Sequence, residues 1–315
     1  MSELSVRHLL GIKYLSREDL DLIFETADHF KEVLSRSIKK VPSLRDITIA
    51  NIFFENSTRT KLSFELAEKR LSADVINFSA AQSSVRKGET LIDTVNNILS
   101  MKVDMVVMRH PNPGAGIFLS RHVNASIINA GDGAHEHPTQ ALLDVFTIRE
   151  KKGEIAGLNI TILGDILYSR VARSNIWALR KLGANITLCG PSTLVPRVFE
   201  QMGCRVTYDM DDALANADVI NLLRIQHERQ RKTMFPNIGE YASLFGLTRA
   251  RLAKTKPDAI IMHPGPMNRG VEIESEIADG DRAVILEQVT NGIAVRMSII
   301  VKLMASQRDP EEGKE

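Results

Sequence analysis

Short β-branched or aromatic runs alternate with helical stretches along almost the whole chain, and few folds accommodate that alternation. Strand, helix and strand in succession make a parallel sheet with helices on both faces. The first half offers strands at Ile47 to Phe54, Asp74 to Ser79, Met105 to Met108 and Ser126 to Ala130. Helices are expected from Lys61 to Leu71, over Leu91 to Leu99, and from Pro138, a favoured first-turn residue, to about Glu150. An earlier helix begins at the capping sequence Ser16-Arg17-Glu18-Asp19 and carries Leu20, Ile23, Phe24, Ala27, Phe30 and Leu34 on one face. The second half repeats the pattern, with strands at Ile160 to Leu163, Ile186 to Cys189, Val206 to Tyr208, Val219 to Leu223 and Ala259 to Met262. The expected architecture is therefore α/β, two doubly wound parallel-sheet domains joined by interdomain helices. Lys151-Lys152-Gly153 marks the boundary, giving domains at residues 1–145 and 151–288. A strongly apolar helix at residues 291–306 must pack against something, and we expect it to return to the first domain. The charged tail, Gln307 to Glu315, has nothing to bury and is expected to be disordered.

Parallel strands put all their carboxyl ends on one edge, where open α/β sheets bind ligands. The residues that follow the strands are Ser57-Thr58-Arg59-Thr60, Arg109, His137 with Gln140, Asp165 to Arg170, Arg224 with Gln226, and His263-Pro264-Gly265-Pro266. Arg59, Arg109, Arg170 and Arg224 would repel one another on a shared rim unless an anion compensates them. Ser57 to Thr60 also stand where a strand gives way to a helix, whose unpaired amides and dipole favour a phosphate.

Composition removes several alternatives. With 40 Lys plus Arg against 39 Asp plus Glu, the net charge is +1, which argues against a nucleic-acid surface. No apolar run reaches the ~20 residues of a membrane span, and Met1-Ser2-Glu3-Leu4 does not open a signal peptide, so a cytoplasmic location is expected. Cys189 and Cys204 are too few for a structural zinc site and read as small buried hydrophobes. No metal, cofactor, covalent nucleophile or dinucleotide fingerprint is expected, since Leu163-Gly164-Asp165-Ile166-Leu167-Tyr168 lacks the later glycines of G-x-G-x-x-G. The basic stretch His227 to Lys232 has no interleaved aromatics and reads as a solvated loop.

Five segments together resemble the carbamoyltransferase family: Ser57-Thr58-Arg59-Thr60, Lys87-Gly88-Glu89-Thr90, Met108-Arg109-His110-Pro111, His137-Pro138-Thr139-Gln140 and His263-Pro264-Gly265-Pro266. Leu223-Arg224-Ile225-Gln226-His227-Glu228-Arg229 and Pro264-Gly265-Pro266-Met267-Asn268-Arg269-Gly270 resemble the aspartate-using branch. The Asp-x-x-x-Ser-Met-Gly and His-Cys-Leu-Pro segments of the ornithine-using branch do not occur. The resemblance implies transfer of a carbamoyl group from carbamoyl phosphate to the α-amine of L-aspartate, in de novo pyrimidine synthesis. It implies that residues 1–145 hold carbamoyl phosphate through Ser57, Thr58, Arg59, Thr60, Arg109 and His137, with Gln140, Pro264 and Gly265 completing that site. Arg170, Arg224 and Gln226 would hold aspartate, and Thr60, Arg109 and His137 would face the reacting carbonyl oxygen. Ser83 and Lys87 match residues that the family lends to a neighbouring subunit's site, with Lys87 reaching both substrates, which implies a homotrimer with shared sites. Regulatory chains or a dihydroorotase are admissible partners, and nucleic acid and membranes are not. An ornithine-type activity, a noncatalytic scaffold of the same fold and a nucleotide-binding oxidoreductase are the rival assignments.

Overall fold

The computed structural model describes residues 3–79, 89–226, 234 and 237–307. The loop carrying Ser83 and Lys87, the basic stretch His227 to Lys232, and the tail from Arg308 lie outside these residues. The chain forms two compact units: Met1–Thr139 with Asn291–Glu315, and Gln140–Thr290. It passes from one to the other inside two helices, Pro138–Lys152 and Ile285–Ala305.

In the first unit, β1 (Thr48–Phe53), β2 (Asp74–Ser79), β3 (Met105–His110) and β4 (Ser126–Asp132) form a parallel sheet in the order β2-β1-β3-β4. All of β4 and all but Thr48 of β1 are buried, as covering both faces of a sheet requires, whereas edge strand β2 is half exposed. Ile49, Ile52, Val106 and Ile127 are fully buried, each contributing about 1.5–3 kcal/mol of apolar transfer. The portion of the last helix that belongs to this unit is pinned by polar contacts. Arg296 donates to the Ser63 hydroxyl at 3.0 Å and lies over the Phe64 ring, and Ser298 donates to the Ile23 carbonyl at 2.7 Å.

In the second unit, β5 (Asn159–Leu163), β6 (Asn185–Cys189), β7 (Arg205–Thr207), β8 (Val219–Leu222) and β9 (Ile260–Met262) are likewise parallel, in the order β7-β6-β5-β8-β9. Strand order reverses direction between β1 and β3 in one sheet and between β5 and β8 in the other, so each has one switch point where a crevice opens at the carboxyl ends. Both cysteines are buried and unbridged, and burial pushes the Cys189 thiol up to about 12 and the Cys204 thiol up to about 11. No helix among the described residues is long and apolar enough to cross a membrane.

One helix start lacks a side-chain cap, and one expected boundary needs correction. Ser57 occupies the N-cap of helix Thr58–Arg70, but its side chain makes no capping hydrogen bond. The last helix begins at Ile285 rather than near Asn291. Its first turns hide the usual signal, because Leu286 and Val289 are exposed while the polar Gln288 is buried.

Glu68, on helix Thr58–Arg70, is wholly buried and accepts a 2.7 Å hydrogen bond from the Asn51 side chain at the middle of β1. Burial, only partly offset by that bond, pushes its carboxyl up to about 8 from 4.5. A raised folded-state pKa contributes stability that is complete below about 4.5 and is lost as pH rises through about 8. Glu68→Gln should therefore raise the melting temperature by several degrees at pH 9 and leave it nearly unchanged near pH 5. Thermal melts across that range check both ends.

Candidate active site

The crevice of the first sheet is built on the register Phe53↔Arg109 between β1 and β3. Past its end, the Phe54 amide donates to the Arg109 carbonyl at 2.9 Å, and the Phe54 ring meets His110 edge-on at 5.0 Å. The chain then turns through Glu55 and Asn56 into helix Thr58–Arg70, leaving Thr58 and Arg59 exposed and Thr60 buried. Arg109 reaches across this step. Its guanidinium donates to the Thr60 hydroxyl at 3.4 Å and the Ala130 carbonyl at 3.5 Å, and pairs with Glu55 at 3.1 Å. The β3–β4 ladder slips between Met108 and His110, a bulge of the sort that re-aims side chains beside binding sites.

Asp132, at the end of β4, organises the next loop. It accepts from the Asn129 side chain at 2.8 Å and from the amides of Gly114 at 2.6 Å and Glu136 at 3.1 Å, and pairs with His135 at 3.0 Å. Glu136 in turn accepts from the Ile12 amide at 2.8 Å. His137 emerges from this braced loop buried, with the Thr139 hydroxyl 3.5 Å from its Nδ1. Burial holds His110 below the usual histidine value, and its Nδ1 accepts from the Asn112 amide.

In the second unit the crevice lies between β5 and β8. Gly164 turns the chain sharply at the end of β5 with φ +124°, and a Cβ there would sit 3.0 Å from the Leu223 carbonyl oxygen. The buried Asp165 carboxylate then ties the two sides together, accepting from the Tyr168 amide at 3.1 Å and from the Gln226 amide at 3.1 Å. Arg170, buried, opens helix Arg170–Lys181, whose Ser169 cap accepts from the Ala172 amide. Arg224 and Gln226 follow β8, and the Gln226 side chain donates to the Arg224 carbonyl at 3.3 Å.

A second carboxylate joins this loop to the one after β9. Glu272 accepts from the Ile225 amide at 3.0 Å and from the Asn268 amide and side chain at 2.6 Å each, with His263 Nε2 at 3.6 Å. Burial works against its charge, but the facing His263 ring and the bonds from Ile225 and Asn268 outweigh it and hold its carboxyl below the usual glutamate value. His263 Nδ1 accepts from the Gly265 amide at 2.7 Å, which fixes the run through Pro264. Gln140 donates to the fully buried Asp144 at 2.9 Å. Among the described residues, no group of three or more His, Cys, Asp or Glu is arranged to hold a metal.

Two family models cover nearly the whole chain. Residues 7–150 match the carbamoyl-P binding domain of the aspartate/ornithine carbamoyltransferases, and residues 156–303 match their Asp/Orn binding domain. The chain belongs to the aspartate/ornithine carbamoyltransferase family. Within that family it is 68% identical over 306 residues to the aspartate carbamoyltransferase catalytic subunit of Christiangramia forsetii, covering 97% of this chain and 98% of that one. The catalytic subunit from Flavobacterium johnsoniae is 66% identical over 307 residues, 98% and 99% of the two chains. Among solved structures, aspartate transcarbamoylase from Trypanosoma cruzi in complex with N-(phosphonacetyl)-L-aspartic acid superposes with a TM-score of 0.85 at 29% identity, over 94% of this chain and 95% of that one.

The sequence reading missed the carboxylates that hold the rims in place: Glu55 beside Arg109, Asp144 beside Gln140, and Glu272 beneath the loops after β8 and β9. Only Asp144 carries a local signal, an acid inside the apolar run Ala141-Leu142-Leu143-Asp144-Val145-Phe146. Glu272→Ala should orphan the amides of Ile225 and Asn268 and destabilise the second unit by roughly 1–3 kcal/mol. Hydrogen exchange should report lost protection at those two amides, with β6 and β7 unaffected.

Proposed function

We propose that the chain transfers the carbamoyl group from carbamoyl phosphate to the α-amine of L-aspartate, releasing N-carbamoyl-L-aspartate and phosphate, in de novo pyrimidine synthesis. The observation that carries the choice of aspartate is the pair Arg170 and Arg224, one beyond each strand flanking the switch point of the second sheet. Two carboxylates call for two such cations, whereas ornithine's second ammonium would need an acid. The nearby acids Asp165 and Glu272 are already engaged as acceptors for backbone amides. The names of the two relatives described above support the same choice.

The phosphate would lie on Ser57, Thr58, Arg59 and Thr60, where the first amides of the helix suit an anion and the Ser57 hydroxyl is not spent on the cap. Thr60, Arg109 and His137 would donate to the carbonyl oxygen as the amine attacks the carbon and negative charge grows there. Gln140 and the Pro264 carbonyl would accept from the carbamoyl NH2, with Gly265 alongside, and Arg170, Arg224 and Gln226 would hold aspartate. Collapse of the tetrahedral state breaks the bond from carbon to the phosphate oxygen, and the departing phosphate takes the amine's proton. Orientation of two bound substrates supplies much of the rate. A steady-state assay should yield carbamoyl aspartate from aspartate and nothing from ornithine. Turnover of ornithine, or of neither amine, would overturn the assignment.

A trimer with shared sites, in which Ser83 and Lys87 of one chain serve the site of the next, belongs to the same proposal. A head-to-tail ring makes each site draw Arg59 from one chain and Lys87 from its neighbour. Mixed Arg59→Ala and Lys87→Ala chains, dissociated and reassembled in equal amounts, should regain roughly a quarter of wild-type activity, the fraction of sites with both residues intact. Activity no higher than that of the parent variants, with wild-type controls recovering, would place Lys87 in its own chain's site.

A further inference from the structure

Asp144 is fully buried and receives three side-chain amides: Gln140 at 2.9 Å, Asn175 at 2.8 Å and Gln288 at 2.7 Å. Burial pushes its carboxyl up to about 6, partly offset by the side-chain amides around it, Asn221 included. With NH2 donors facing both of its oxygens, it serves as an acceptor with no proton to give. A carboxylate of that kind decides which way each amide faces, because every partner must present its NH2 and turn its carbonyl oxygen elsewhere. For Gln140 this leaves Oε1 as the outward end of the side chain. For Gln288 the consequence is visible, since its Oε1 accepts from the His263 amide at 3.0 Å, one residue before Pro264.

We propose that Asp144 is a positioning residue which sets both acceptors for the substrate's NH2, Gln140 Oε1 directly and the Pro264 carbonyl through Gln288 and His263. The proposal rests on the assignment of Gln140 and Pro264 to the carbamoyl group made above. It gives one buried carboxylate the task of distinguishing a carbamoyl group from an acyl group of the same shape. A methyl in place of the NH2 has no hydrogen to donate, so the site would hold two unpaired acceptors against it.

Phosphonoacetamide and phosphonoacetone differ only in that NH2 and methyl, and neither transfers a group, so their affinities can be measured by titration calorimetry on the whole protein. Wild type should prefer the amide roughly tenfold, the worth of one to two neutral hydrogen bonds. Asp144→Asn places an NH2 among three donors and should bring the ratio to about one, as Gln140→Ala should, with phosphonoacetone affinity little changed. The exchanged pair Gln140→Glu with Asp144→Asn restores one donor facing one acceptor and should recover the preference, which a merely structural role for Asp144 would not. A wild-type ratio in Asp144→Asn, or no recovery in the exchanged pair, overturns the positioning role. Should Asp144→Asn fail to fold, Gln288→Met cuts only the branch to His263 and should lower the ratio about threefold, and an unchanged ratio overturns the proposal. Wild type binding neither ligand would instead remove the carbamoyl phosphate assignment, an outcome distinct from discrimination that survives loss of Asp144.

Discussion

The rest of the structure depends on the parallel hydrogen-bond ladder. Parallel pairing forces each strand to be followed by a crossover, and the crossovers bury both sheet faces, so a small ligand meets the loops at the strand ends, by rule the carboxyl ends. At one place in each sheet, between β1 and β3 and between β5 and β8, successive crossovers leave in opposite directions and the loops part. Arg109 stands at the first of these places, and Arg170 and Arg224 follow strands at the second. The cations are gathered by topology, with no need for nearness in sequence.

Loops that part need something to hold them at a fixed separation, and buried carboxylates do that here. Asp165 joins the loops after β5 and β8, Glu272 joins those after β8 and β9, and Asp132 braces the loop after β4. Each accepts backbone amides that would otherwise be buried without partners, at a cost of roughly 1–3 kcal/mol apiece. Acids suit the task because a carboxylate offers several acceptor positions and can serve two chain segments at once. The low dielectric that makes burying such a charge expensive also strengthens each bond it receives.

Most of the fold was legible in the sequence because strands and helices declare themselves over a few neighbouring residues. Among the described residues, all nine strands lie within a residue or two of the apolar runs that suggested them. The rim was legible for a related reason: once strands are parallel, whatever follows them shares an edge. The braces were not legible, because their partners are remote in the chain. Glu272 meets Ile225 across 47 positions, and Gln288 meets Asp144 across 144. The early start of the last helix was hidden by an inverted pattern, apolar Leu286 outward and polar Gln288 inward, which follows from Gln288 being drawn to Asp144. Ser57 sits at a helix start as its residue type suggests, yet its hydroxyl makes no capping bond, a detail no propensity reveals.

The way the two compact units share one chain has a consequence for how the protein is made. The second unit is a single uninterrupted stretch, Gln140–Thr290, whereas the first is completed only by the helix residues from Asn291 onward. On a ribosome the amino-terminal unit is synthesised first but waits for the last helix, because Ser63 and the Ile23 carbonyl receive their partners from Arg296 and Ser298. The intervening unit has every residue it needs once Thr290 has left the exit tunnel, before the rest of the carboxyl-terminal helix follows. Order of synthesis and order of completion are thus opposed, and the helices around Ile23 and Ser63, still lacking the last helix, are the surface a chaperone would meet on the nascent chain.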